Sequence, residues 1–149
     1  MNKFSLIYLI FNLIFIDMNG SDLKHETNYS KEKKIIFFGN SITQSWSDYT
    51  NFFVNNGYLN KGISGQTTDQ MLLRFKKDVV DEKAYCVVIL AGINDLAENN
   101  GPISLEDIFE NIKSMVKIAN ENGIKVILSS ILPAYEFLRS TIKVYPLRS

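Results

Sequence analysis

Three polar clusters, Gly39-Asn40-Ser41, Ser64-Gly65-Gln66 and Gly92-Ile93-Asn94-Asp95, each follow an apolar, strand-like run. Lys34 to Phe38 (KIIFF), Tyr85 to Ala91 (YCVVILA) and Lys125 to Ser130 (KVILSS) have the pattern of strands buried on both faces, and Tyr58 to Lys61 is a weaker candidate. Helical periodicity fills the gaps. Thr43 to Asn56 places Trp46, Tyr49, Phe52 and Phe53 at helix-compatible spacing, with Asn56-Gly57 as the stop. Thr67-Thr68-Asp69-Gln70 fits a capping box, followed by Met71, Leu72, Phe75 and Val79 on one face. Ser104 is an N-cap for a stripe of Ile108, Ile112, Met115 and Ala119, and Gly123 ends it. Strands alternating with helices predict an α/β fold with a parallel sheet and right-handed crossovers.

The composition suits that fold. The chain has 149 residues, a single-domain length, and 46% of them are hydrophobic, enough for a packed core. Sixteen basic residues balance 16 acidic ones, and the Lys31-Glu32-Lys33-Lys34 run is too short for a nucleic-acid surface. Cys86 is the single cysteine and sits inside an apolar run, which excludes an intrachain disulfide and speaks for an inert buried thiol. After Pro133 the periodicity fails, and residues 138–149 read as an irregular tail.

Residues 1–20 are a separate object. Lys3 precedes an apolar stretch from Phe4 to Ile16, and Asn19, Gly20 and Ser21 follow it. This is the pattern of a secretory signal peptide, too short for a comfortable membrane span, so the chain is expected to be exported, to the periplasm or outside the cell. Met18 sits where a small residue would serve cleavage better, which keeps an uncleaved N-terminal anchor as the alternative. No cysteine lies near the end of this segment, so a lipid-anchored form is not suggested. Residues 21–33 form a polar lead-in, and residues 34–137 the domain.

In open α/β sheets, ligands bind beyond the carboxyl ends of the strands. Ser41, Gly65 and Asn94 follow three such ends. Taken singly they read as an N-cap, a loop glycine and a turn asparagine. Together they are the parts of a serine nucleophile with an oxyanion hole. A phosphate cradle would need a turn rich in Gly, Ser and Thr, and Gly39-Asn40-Ser41-Ile42 is not one.

At this point the motifs resemble those of a known family. Ile36-Phe37-Phe38-Gly39-Asn40-Ser41-Ile42-Thr43-Gln44 resembles the first block of the SGNH (GDSL-type) hydrolases. Lys61-Gly62-Ile63-Ser64-Gly65-Gln66-Thr67-Thr68 resembles the second, and Gly92-Ile93-Asn94-Asp95 the third. The resemblance implies a three-layer, flavodoxin-like parallel sheet. It implies an esterase acting on esters of small acyl groups, acetyl among them, with a small molecule or carbohydrate. The reaction would pass through an acyl-serine, with no cofactor or metal. Ser41 would be the nucleophile. Ser41 and Gly65 would give backbone N–H groups to the oxyanion hole, and Asn94 its amide. Asn40 stands where the family more often has Asp, and Asp95 is expected to be a structural hydrogen-bonding residue.

One part of the pattern is missing. The family carries its histidine in a C-terminal Asp-x-x-His block, whereas the one histidine here is His25, ahead of the first strand. A strand of about five residues spans about 17 Å, so His25 would enter near the sheet edge opposite Ser41. The expectation is a partial domain lacking its terminal helix and strand, with impaired activity and an uncovered sheet edge that favours self-association. A non-catalytic acyl- or carbohydrate-binding remnant is the alternative reading.

Overall fold

The computed structural model describes residues 33–131. The proposed signal peptide, nearly all of the lead-in, His25, the Leu132-Pro133 stop and the tail lie outside the described residues.

Four strands, β1 (Ile35–Gly39), β2 (Leu59–Gly62), β3 (Cys86–Leu90) and β4 (Lys125–Leu128), form one sheet in the order β2-β1-β3-β4. All three pairings are parallel, with Gly39 of β1 opposite both Gly62 and Leu90. The fold class read from the sequence is the one found. The chain runs from β1 outward to β2, then crosses back to β3 and on to β4. The order therefore reverses between β1 and β3, and the crevice at such a switch point is where α/β sheets bind ligands.

Alternation along β1 explains the layers. Ile36 and Phe38 point to one face and are fully buried with Met71, Phe75 and Val79. That face is covered by α3 (Thr68–Phe75) and α5 (Leu105–Glu121), and the Phe38 and Phe75 rings meet edge-on at 5.2 Å. Phe37 points the other way, into α1 (Ser41–Tyr49) and α2 (Phe52–Asn56), with its ring 5.6 Å from Trp46 and 5.1 Å from Phe53. The expected stripe on α5 is the face it buries, with Met115 and Ala119 in the core. Ser104 caps it, its Oγ accepting from Asp107 N at 3.0 Å.

Three local features differ from the sequence expectation. The single helix expected over Thr43 to Asn56 is two helices, because Thr50 is extended (φ −159°, ψ 148°) and its hydroxyl accepts from Phe52 N at 3.2 Å. That break lets Phe52 stack on Trp46 at 5.5 Å, a contact one straight helix could not make. After α3 the chain takes a π-helical turn, Lys76–Val80, closed by Asp81 N to Lys76 O at 2.9 Å. The third feature is a one-turn helix, α4 (Ile93–Leu96), that carries Asn94 and Asp95.

Candidate active site

Ser41 is the first residue of α1, directly beyond β1. Asn40 is its N-cap and is fully buried, and its Oδ1 accepts from Ile42 N at 3.0 Å. The Asn40 Nδ2 finds no hydrogen-bond partner among the described residues. An asparagine thus performs the capping for which only a side-chain oxygen is needed.

The start of α1 approaches the strand ends closely, and two glycines allow it. A Cβ on Gly62 would fall 2.2 Å from Gln44 N, and one on Gly39 would fall 2.1 Å from Thr43 Oγ1. Any side chain at either position would push α1 off the sheet.

The turn after β2 is tied to this helix. Ile63 N donates to Gly39 O at 3.0 Å, and Ser64 N donates to Gln44 Oε1 at 2.6 Å. Gly65 then takes φ +77°, a left-handed conformation with open space where a Cβ would lie. Asn94 reaches this same turn from β3, its Nδ2 donating to Gln66 O at 2.8 Å. The turns carrying Ser41, Gly65 and Asn94 are therefore joined at the carboxyl edge of the sheet. Ser41 and Asn94 are partly buried and Gly65 is exposed.

Asp95 faces inward. It is fully buried, Thr68 N lies 3.0 Å from each of its carboxylate oxygens, and Thr68 Oγ1 donates to it at 2.5 Å. Asn111 Nδ2 in turn donates to Thr68 Oγ1 at 3.1 Å. Asp95 thus seats the N-terminus of α3, where the free N–H groups and the helix dipole favour a carboxylate. In the capping box, Gln70 Oε1 accepts from Thr67 N at 3.2 Å. The hydrogen bond from the Thr67 hydroxyl holds the nearby Asp69 carboxyl below its usual range. Among the described residues no group of three or more His, Cys, Asp or Glu side chains is placed to hold a metal ion.

The profile of the GDSL-like Lipase/Acylhydrolase family matches residues 37–146. The chain belongs to this family. A GDSL-like lipase from Bacteroides thetaiotaomicron is similar to it, with 49% identity, a TM-score of 0.72, and coverage of 79% of this chain and 58% of that one. A candidate acylhydrolase from Bacteroides fragilis is 40% identical at the same TM-score of 0.72, over 95% of this chain and 64% of that one. The lipoprotein YqeF of Bacillus subtilis, itself uncharacterised, is 38% identical over 81 residues, which are 52% of this chain and 33% of YqeF. The chain thus spans less than two thirds of the length of each of these relatives.

Within this GDSL-like domain, sequence reasoning missed the residues that hold the turns together. Gln44, Gly62 and Gln66 lie inside the motif blocks but signal no role there. Arg74, on α3, bonds to Gly39 O at 3.0 Å and to Lys61 O at 3.0 Å. At helical spacing it falls beside Gln70, Lys77 and Asp78, and nothing local distinguishes it from a solvated residue.

Proposed function

We propose that this chain is built on a serine ester hydrolase site with Ser41 as nucleophile. The observation that supports the reading is the Asn94 Nδ2 to Gln66 O bond of 2.8 Å, which ties the Asn94 amide to the turn that carries Gly65. That bond uses one of the two amide hydrogens and orients the other. Ser41 Oγ attacks the ester carbonyl carbon as a base takes its proton. The resulting oxyanion is held by the N–H groups of Ser41 and Gly65 and by the second Asn94 N–H. Collapse releases the alcohol, which takes back the proton, and leaves an acyl-serine that water then cleaves. Fixed donors of this kind are worth about 2.7–4 kcal/mol each when removed from comparable sites.

The substrate proposed is a small acyl ester, with an acetylated carbohydrate as the test case. Ile63, 42% exposed next to the Ser64-Gly65 turn, offers apolar surface to a short acyl group. We propose export as well, on the pattern of residues 1–20 and the likeness to a lipoprotein.

A second reading is favoured by one observation: His25 is the sole histidine, and it precedes β1, whose carboxyl end carries Ser41. On this reading the site, lacking a base, binds acyl or sugar ligands and does not turn them over. In a serine triad, losing the histidine costs on the order of 10⁶ in turnover, while oxyanion donors and binding leave roughly 10³–10⁴ over water. Aryl acetate hydrolysis by the purified 149-residue chain is therefore expected to be weak. Adding a C-terminal segment that bears Asp-x-x-His should raise it by several orders of magnitude, and Ser41→Ala should abolish the gain. Strong turnover by the 149-residue chain, lost in His25→Ala, would make His25 the base. No Ser41-dependent gain with the added segment would leave the binding reading.

A further inference from the structure

Resting on the hydrolase reading above, we propose that Arg74 is the positioning residue of the oxyanion pocket. Its guanidinium holds the turns that carry Ser41, Gly65 and Asn94 at one spacing. Arg74 occupies the last turn of α3, and its side chain is only 12% exposed.

Its three donor nitrogens reach different segments around these turns. Nη2 donates at 3.0 Å to Gly39 O, the carbonyl just ahead of Asn40 and Ser41. Nη1 donates at 3.0 Å to Lys61 O near the end of β2, and at 2.8 Å to Asp78 Oδ2. Nε donates at 2.5 Å to Gln66 Oε1, and it is the carbonyl of this same Gln66 that receives the Asn94 amide. The guanidinium carbon lies 4.1 Å from the centre of the Phe38 ring, so the fork rests on the core.

One planar group thus links the end of β1, the end of β2 and the residue after Gly65, and through that residue reaches Asn94. The Asp78 carboxylate fixes the fork from four residues further along the chain. A lysine cannot replace it, because an ammonium is a point charge on a flexible stem and lacks donors held in one plane. Arg74 touches no reacting atom in this scheme and acts only through Gly39, Lys61 and Gln66.

The test uses the full chain, labelled with ¹⁵N, and compares Arg74→Lys with Ile118→Val. Ile118 packs against the core toward the far end of α5, so Ile118→Val lowers stability without touching the motif turns. In Arg74→Lys, the order parameter of the Gly65 amide should fall from the rigid range, about 0.85, to below about 0.6. The Asn94 side-chain amide resonances should shift, while Val87 and Val126 in the sheet stay rigid. Ile118→Val should leave Gly65 and Asn94 as they are. A Gly65 amide that stays rigid and an Asn94 amide that does not shift in folded Arg74→Lys would overturn the proposal. Should Arg74→Lys not fold, Gln66→Met removes only the Nε acceptor. It should shift the Asn94 amide, and an unshifted resonance there would overturn the proposal equally. Aryl acetate turnover, measured alongside, bears on the hydrolase reading alone, because the amide signals do not pass through the chemistry.

Discussion

The Asp95 carboxylate accepts from both the backbone N–H and the hydroxyl of Thr68, 27 residues earlier in the chain. One buried carboxylate thereby joins the turn after β3 to the start of α3. Asp95→Ala leaves two buried donors on Thr68 without that acceptor, each costing about 1–3 kcal/mol. Urea unfolding should therefore show a loss of about 3 kcal/mol. Asp95→Asn keeps one acceptor and should lose clearly less. Equal stability of Asp95→Ala and the parent chain would contradict this role.

Two glycines of the second motif block should behave differently. Gly62→Ala sets a methyl group 2.2 Å from backbone Gln44 N, so α1 must move off β2. Overpacking of this kind costs about 1–3 kcal/mol or more. Gly65→Ala meets open space and bears only the strain of its left-handed backbone, about 1–2 kcal/mol. Thermal unfolding should rank Gly62→Ala below Gly65→Ala, and the reverse order would count against the close approach of α1.

Burial pushes the Cys86 thiol up to about 11 from 9.0. The folded state therefore holds the proton more tightly than the unfolded chain does. Stability from this group is fully present below pH 9 and is lost as pH rises toward about 11. Each tenfold difference in proton affinity between the two states corresponds to about 1.4 kcal/mol. Cys86→Ala should flatten the alkaline fall in stability. At near-neutral pH, a disulfide reagent should label Cys86 only as fast as the chain opens, and rapid stoichiometric labelling would refute the burial argument.

Among the described residues, β4 pairs with β3 alone, and a strand edge left unpaired favours association. Leu73, Leu105 and Phe109 add exposed apolar surface at 87%, 65% and 58%. Sedimentation of the purified chain is expected to show concentration-dependent self-association. A single monomeric species across the concentration range would remove this prediction.

Sheet, strands and motif turns were legible in the sequence because each is written locally. A run such as Cys86 to Leu90 has the pattern of a strand buried on both faces, and the glycine soon after it marks a turn. The parallel order follows from alternation, and with it the shared edge of Ser41, Gly65 and Asn94. What stayed hidden depends on atoms far apart in the chain. Thr50 breaks a helical pattern by capping its successor, which allows a stacking contact that periodicity does not encode. Arg74 has the local signature of a solvated residue, yet its donors meet acceptors 13 and 35 residues away. Its use is set by where α3 crosses the sheet. The fold class and the three turns were thus readable from residue order, since burial and backbone preference act over a few residues. How those turns are held against one another emerged only in the folded chain, since a hydrogen bond depends on positions within a few tenths of an ångström.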